Sequence, residues 1–186
     1  MKRILVSAIG MLFVSVGLRA EEMAPPPAGK MVAKVTLVGT TPGDKINGEI
    51  RIFEAYWGKG LKFVGNITGA TPGNHGIHIH DKGDCSDGGN AAGGHYNPHG
   101  TKHGFSPRDK ITNAHPGDLG NVLVDQSGNG SFSEEVVGIT LAGLDPVGGR
   151  AIILHEKEDD FGQPTGNAGG RIACGIIETE QDAADR

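Results

Sequence analysis

Apolar and polar residues alternate with a period of two along much of the chain after residue 30. Ala33, Val35 and Leu37, for example, are separated by Lys34 and Thr36. This alternation places apolar side chains on one face of an extended segment, which is the pattern of a half-buried strand. With the short apolar runs later in the chain, it predicts eight strands, near residues 33–37, 50–53, 61–67, 75–81, 121–125, 131–137, 150–156 and 171–178.

Turn-forming sequences lie between these predicted strands. The chain has 32 glycines and 10 prolines, and turn signals occur at 41–44, 58–60, 72–74 and 127–130. No stretch after residue 30 has the periodicity of a long amphipathic helix. A chain of 186 residues is also short for two separate cores. These features predict one all-β domain, an antiparallel sandwich or barrel.

One connection, residues 82–118, is far longer than a hairpin needs. Loops of this length in a compact domain are usually either functional or disordered. Four of the eight histidines lie in this one, namely His95, His99, His103 and His115. We therefore expect the loop to take part in the chemistry of the protein.

The two ends of the chain differ in composition from the predicted domain. Residues 1–20 combine a basic start, an apolar stretch and Ala20 at a cleavage position, which predicts a secretory signal peptide, with an uncleaved anchor as the alternative. The apolar stretch is short for a membrane span. We expect residues 21–29, with three successive prolines, to be a flexible lead-in and 179–186 to be a polar tail. The predicted domain covers residues 30–178.

The net charge argues against nucleic acid as a partner. Cleavage after Ala20 would leave 14 basic and 22 acidic side chains, a net charge of −8. Binding to phosphate backbones normally requires a basic surface instead. We expect a soluble, acidic, exported protein, periplasmic or secreted, that does not associate with a membrane once processed.

The chain has two cysteines, Cys85 and Cys174. Export to an oxidising compartment favours a disulfide between them, and two buried free thiols are the alternative.

Other histidines lie on predicted strands. His78 and His80 form an H-x-H pair, and side chains two residues apart on a strand point to the same face. His155 lies late in another strand, and Asp118 follows the loop histidines. If the long loop folds back over this face, these groups converge into a set of transition-metal ligands. The H-x-H pair alone is weak evidence, because two surface histidines would also produce it.

Several longer motifs resemble the copper,zinc superoxide dismutase family. They are G-I-H-I-H at 76–80 with G-D-C at 83–85, G-H-Y-N-P at 94–98, K-H-G at 102–104, H-P-G-D-L-G-N at 115–121, H-E-K at 155–157 and G-N-A-G-G-R-I-A-C-G at 166–175. All occur in the order found in that family, and the resemblance covers residues 30–178. It implies an eight-stranded antiparallel Greek-key β-barrel with a long metal-binding loop.

The resemblance also implies two metal sites with a shared ligand. Carried over position by position, the copper ligands are His78, His80, His95 and His155. The zinc ligands are His95, His103, His115 and Asp118, so that His95 bridges the two ions. The donor types agree, because four imidazoles suit Cu(II), and three imidazoles with one carboxylate suit zinc.

Two further residues receive roles from the resemblance. Asp159 is expected to orient His78 and His103 through hydrogen bonds, and a solvated acid in an acidic run is its alternative. Arg171 is expected beside copper, where its charge attracts the superoxide anion, and a surface arginine is its alternative. The resemblance gives no ligand role to the remaining two histidines: we expect His75 to be structural and His99 to be exposed in the loop.

The sequence departs from eukaryotic members of the family in two places. Residues 161–170, between Asp160 and Arg171, lack the acidic residues and the lysine of the usual electrostatic loop, so that Lys82 or Lys157 is the candidate to guide the anion instead. The segment 85–95 is a few residues longer than in those members. Because this segment supports the dimer contact in many relatives, a homodimer is neither required nor excluded.

The resemblance implies an enzyme that dismutates superoxide to dioxygen and hydrogen peroxide by redox cycling of copper. His95 would exchange a proton during the reaction, and zinc would be structural. The alternative is a non-catalytic periplasmic carrier of copper or zinc with the same fold. Carriers usually expose their ligands and add cysteine or methionine, whereas this chain has every copper ligand and Arg171.

Overall fold

The computed structural model describes residues 29–55 and 58–179. The predicted signal peptide, most of the lead-in and most of the polar tail lie outside these residues. The described strands are β1 (Met31–Gly39), β2 (Asn47–Glu54), β3 (Gly60–Thr68), β4 (Gly73–Ile79), β5 (Asp118–Val124), β6 (Asn129–Val137), β7 (Ala151–His155), β8 (Arg171–Ile176) and β9 (Glu178–Thr179). A four-residue helix α1 (Ser106–Asp109) and a 3₁₀ segment (Asp87–Ala92) lie between β4 and β5. No described helix has the length and apolar character that crossing a membrane requires.

Eight strands close into an antiparallel barrel. Their order is β2-β3-β6-β5-β4-β7-β8-β1, and β1 pairs again with β2. The short β9 pairs with β1 only through Ala33 and Lys34. Because β3 pairs with β6 and β4 with β7, connections cross the ends of the barrel as in a Greek key. The predicted eight-stranded all-β fold is confirmed.

The alternating residues fill the barrel. Val35, Leu37 and Phe63 are completely buried, as their positions in the pattern predict. Burying each such side chain contributes roughly 1.5–3 kcal/mol to the stability. Gly65 breaks the apolar series on β3 for a steric reason, since a Cβ there would lie 2.2 Å from Cε1 of Phe132 on the paired strand.

The alternation does not hold on β4 and β7, where both faces are buried from His75 to Ile79 and from Ala151 to His155. The long connection after β4 covers the outer face of these strands. Its backbone is attached to the barrel at Ile79, which donates to Gly117 O at 2.8 Å and accepts from Tyr96 N at 2.8 Å. A second, small core forms outside the barrel, from Ala92, Ala151, Ile153 and Cys174. The strands with the H-x-H pair and His155 are therefore covered on the face that the histidines occupy.

Candidate metal centre

Seven side chains from separate parts of the chain converge under the long connection. His78 lies on β4, His80 directly after it, His155 at the end of β7, Asp118 at the start of β5, and His95, His103 and His115 in the connection. An isolated antiparallel bridge between His80 and His95 brings the connection against the barrel. The seven residues are therefore brought together by long-range contacts rather than by one local motif.

The first cluster consists of four imidazoles. One ring nitrogen from each lies within 4.8 Å of the others, and the residues are His78, His80, His95 and His155. The Nδ1 of His80 donates to Gly93 O at 2.9 Å, and that of His155 donates to Gly169 O at 3.3 Å. These bonds leave the two Nε2 atoms facing each other at 3.4 Å. The cluster therefore presents free nitrogen lone pairs to a common point.

The second cluster has three imidazoles and a carboxylate, contributed by His95, His103, His115 and Asp118, again within 4.8 Å. Asp118 is completely buried at its centre, with Nδ1 of His95, His103 and His115 at 2.9, 2.8 and 3.2 Å from its oxygens. The backbone N–H of Gly104 donates to Oδ2 of Asp118 at 2.9 Å and fixes the carboxylate. Donors of this kind and number are those of a tetrahedral zinc site.

His95 belongs to both clusters. Its Nδ1 faces Asp118 in the second cluster, and its ring lies 4.0 Å from the ring of His78 and 5.0 Å from that of His80 in the first. The two nitrogens of one imidazole point in nearly opposite directions, so that this side chain can bind two ions at once.

Asp159 contacts one histidine of each cluster, at the ring nitrogen that points away from the cluster. It is 1% exposed, and it accepts hydrogen bonds from Nε2 of His78 at 2.8 Å and from Nε2 of His103 at 2.9 Å. The backbone N–H of Phe161 donates to the same carboxylate at 2.8 Å. This is not the position of a solvated acid. The carboxylate holds both imidazoles with Nδ1 directed toward the clusters.

The pKa values of the histidines are shifted in different directions in the two clusters. Burial lowers the pKa of His80 to about 2 and that of His155 to about 3. Burial also lowers the pKa of His95 to about 4, against the opposing effect of the hydrogen bond that its Nδ1 donates to Asp118. Burial acts in the same direction on His103, but the two adjacent carboxylates, Asp118 and Asp159, outweigh it and raise that pKa to about 9.

The buried carboxylates are ionised. Burial alone would raise the pKa of Asp118, but the imidazole nitrogens of His103, His115 and His95 beside its oxygens hold that pKa far below its usual value. The pKa of Asp159 is lowered for the same reason, by His103 and His78. The second cluster therefore contains an ionised carboxylate, which the first cluster lacks.

Nδ1 of His78 is buried with no hydrogen-bond partner among the described residues, and Nδ1 of His103 and of His115 lie 2.8 and 3.2 Å from Asp118 without the geometry of a hydrogen bond. A buried polar atom without a partner costs about 1–3 kcal/mol. A cation in each cluster would satisfy all three. Together with the donor types, these atoms show that the residues fit copper in the first cluster and zinc in the second.

Zinc addition to the metal-free protein is expected to release about one proton per chain near pH 7.5. A pKa of about 9 keeps His103 protonated at that pH, and a metal bound at its Nδ1 must displace the proton. The lowered pKa values of His80 and His155 mean that these rings are already neutral, so copper releases none from them. Calorimetric titration in two buffers of different ionisation enthalpy measures the number of protons released per zinc ion bound.

The proton release should vanish above about pH 10, where His103 is neutral before zinc arrives. If zinc binding releases no proton near pH 7.5, or releases more protons as the pH rises, His103 is not protonated in the metal-free protein.

A cavity of about 220 Å³ opens onto the first cluster. Its lining includes His80, His95, His155, Thr165, Asn167 and Arg171. The guanidinium of Arg171 donates to Gly89 O and to Gly93 O, both at 2.6 Å. Since Gly93 O also accepts from His80, one carbonyl fixes Arg171 relative to the first cluster.

A disulfide joins Cys85 to Cys174, across 89 residues of sequence. Cys85 begins the segment that contains Gly89 and Gly93, and Cys174 lies on β8 with Arg171. The disulfide therefore fastens the segment that carries the two carbonyl partners to β8, the strand that contains Arg171.

The two remaining histidines do not join either cluster. His75 is buried, with Nδ1 2.8 Å from His155 O and Nε2 2.7 Å from Thr71 O, so it supports the backbone of His155. His99 is 40% exposed, and its Nε2 lies 3.0 Å from Asp145.

Sequence reasoning missed two side chains that hold the metal-binding segments. Arg150 donates to Asp81, the residue after His80, and its guanidinium lies 3.9 Å from the ring centre of Tyr96, the residue after His95. Gln163 pairs with the backbone of His103. No sequence signal identifies either, since each acts across a long stretch of chain.

The comparisons with known proteins agree with this geometry. The family model for copper/zinc superoxide dismutase matches residues 46–177, more than half of the chain. The chain belongs to the copper/zinc superoxide dismutase family. The resemblance seen in the sequence is thus confirmed at the level of the family.

Two similar proteins illustrate the extent of the match. The extracellular Cu-Zn superoxide dismutase of Caenorhabditis elegans is 44% identical over 132 residues, which cover 67% of this chain and 58% of the nematode protein. The chain thus spans less than two thirds of that relative. The crystal structure of the clock protein EA4 has a TM-score of 0.69 and 38% identity, covering 81% of this chain and 96% of that one.

Proposed function

We propose that this protein dismutates superoxide: two superoxide anions and two protons give dioxygen and hydrogen peroxide. The observation that carries the proposal is the imidazole of His95, shared between a four-imidazole cluster and a cluster with a buried carboxylate. Arg171 at the opening of the first cluster adds the positive charge that an anionic substrate needs. Metal analysis of the purified protein beside an assay of superoxide decay tests the proposal directly.

The metal assignments belong to the same proposal. Copper would be held by His78, His80, His95 and His155, and zinc by His95, His103, His115 and Asp118. Bound copper would supply a one-electron redox couple, and bound zinc a fixed positive charge. Asp159 would orient ligands of both ions at once through His78 and His103.

His95 can move a proton at Nε2. Its Nδ1 is occupied on the side of Asp118, 2.9 Å away, whereas the rest of the ring faces the cavity. A proton taken up at Nε2 and passed to reduced substrate would supply one of the two that hydrogen peroxide requires. Asp118 holds the ring in the orientation for this exchange.

Arg171 would dock the substrate anion. Its guanidinium is held rigidly by two carbonyl groups at the cavity, so it needs no rearrangement when the anion arrives. Lys82 and Lys157 are exposed near the same opening, with their side chains beside Gly93 and Gly169 respectively. Glu156 next to Lys157 offsets part of the attraction from that lysine.

Replacing Arg171 with alanine is expected to lower kcat/KM roughly tenfold, about 1.4 kcal/mol of lost anion stabilisation. Metal content should stay unchanged, since the guanidinium binds carbonyl oxygens and belongs to neither cluster. The rate of the native protein should fall with ionic strength, and that of the variant should fall less steeply. Stopped-flow decay of superoxide across a salt series measures both effects.

Arg51→Ala is the matched control, because it removes the same charge from an exposed position on β2. If Arg171→Ala keeps the native rate and the native salt dependence, Arg171 does not guide the anion, and that role falls to Lys82 and Lys157.

A carrier of copper or zinc is the second candidate, and the burial of the first cluster speaks against it. His78, His80 and His155 are 0%, 1% and 6% exposed, whereas transfer to a partner requires accessible ligands. Rapid exchange of copper with a competing protein, without superoxide decay, would favour the carrier instead.

We further propose that residues 1–20 direct export and that the domain of 30–178 is the working unit. The extracellular relative supports export in general. Fractionation of expressing cells distinguishes a periplasmic from a secreted protein, and N-terminal sequencing of the product tests cleavage after Ala20.

A further inference from the structure

The short segment 161–163 contacts His103 through a side-chain amide. Backbone N–H of His103 donates to Oε1 of Gln163 at 3.1 Å, and Nε2 of Gln163 donates to His103 O at 2.8 Å. The amide thus occupies both backbone groups of one residue, as a neighbouring strand would. Neither group has another hydrogen bond within the described residues. His103 lies outside any strand or helix, so this pair replaces regular secondary structure.

The same segment contacts the imidazole and its carboxylate partner. The Phe161 ring stacks on the His103 ring, with 6.5 Å between centres and 22° between planes. The Phe161 backbone N–H donates to Asp159, which holds Nε2 of His103. Phe161 has φ +59°, a left-handed conformation that an aromatic residue adopts only at a cost.

Contacts on the other side hold Phe161 in this conformation. The guanidinium of Arg108 lies 5.9 Å from the Phe161 ring centre and 5.7 Å from that of Phe105. Asp109 fixes Arg108 through two hydrogen bonds of 2.7 and 2.9 Å. The segment is therefore held on the second cluster by packing from the connection between β4 and β5.

We propose that Gln163 is a positioning residue for His103, and that its amide keeps Nδ1 of His103 directed at the zinc site. The inference rests on the zinc assignment of the proposed function. His103 needs such support because its ring lies between two carboxylates, Asp118 and Asp159, and a small shift of the backbone would favour one over the other. The segment 161–170, which lacks the usual guiding charges, takes a structural role here through an uncharged side chain.

The test compares Gln163→Ala with Gln126→Ala. Both glutamines are exposed, and Gln126 lies in the turn between β5 and β6. Zinc release from the metal-loaded protein into a chromophoric chelator is expected to be about tenfold faster for the first variant and unchanged for the second. Hydrogen exchange at the His103 amide should also be about tenfold faster in Gln163→Ala, because its acceptor is lost.

A third variant, Gln163→Glu, retains an acceptor for the His103 N–H but loses the donor to His103 O. It should preserve the slow exchange of the amide better than Gln163→Ala. The inference is overturned if Gln163→Ala releases zinc and exchanges the amide at the native rates. If the native protein holds no zinc, the proposed function fails instead, and the amide exchange alone decides whether Gln163 fixes His103.

Discussion

Replacing Gly166 with alanine is expected to weaken zinc binding strongly and to remove most of the proposed superoxide dismutation. A Cβ at this position would lie 1.8 Å from Oδ1 of Asp159 and 2.6 Å from Nε2 of His103. Neither atom can retreat, because both are buried and bonded to each other. Displacing the carboxylate also removes the partner of His78. We expect a loss of about 100-fold in zinc affinity, the upper end for losing such a partner.

Zinc affinity is measured by competition with a chelator of known strength. The control is Gly149→Ala: Gly149 has φ +73°, close to the +77° of Gly166, but a Cβ there meets no atom within 4 Å. Gly149→Ala should lose about 1–2 kcal/mol of stability through backbone strain, and its zinc affinity should be unchanged. Equal zinc affinity in the two variants would show that the steric contact at Gly166 is unimportant.

Removing the disulfide is expected to have the largest effect on stability. The double variant Cys85→Ser, Cys174→Ser opens a cross-link between residues 89 apart in the sequence. The chain-entropy argument gives a loss of roughly 4–5 kcal/mol in the free energy of unfolding. The catalytic rate should fall as well, because the segment that the disulfide anchors binds Arg171 through Gly89 and Gly93.

Denaturant unfolding of the metal-loaded protein measures the stability, with and without a reducing agent. Reduction should lower the native protein to the level of the double variant and leave the double variant unchanged. A double variant as stable as the oxidised native protein would mean that the outer core of Ala92, Ala151 and Ile153 holds the segment unaided.

The strands of the barrel follow from local sequence. Val35, Leu37, Ile50 and Ile52 face inward because alternation on an extended chain admits only two faces, and one of them must leave water. The ligand candidates of both clusters were also predictable, through the order and spacing of the motifs. These features depend on residues close together in the chain, or on a family resemblance that preserves their order.

Other features depend on contacts between distant residues, and only the tertiary structure determined them. Strand β4 is buried on both faces because the connection from Lys82 onward folds over it, which a two-residue period cannot reveal. For Asp159 the family resemblance suggested contact with His78 and His103, but the residues alone left a solvated acid as the alternative, and only its burial against both rings decides between them.

Gly166 and Gln163 show the same dependence at the scale of single atoms. Residue 166 must lack a side chain because the carboxylate of Asp159, seven residues earlier, lies against it. The amide of Gln163 pairs with the backbone of His103, which is 60 residues away. Hydrogen bonds and steric contacts act over about 3 Å, a distance that sequence separation does not report. The sequence therefore determined the strands and, through the family resemblance, the barrel and its candidate metal ligands, and the tertiary structure decided which neighbours hold those side chains in position.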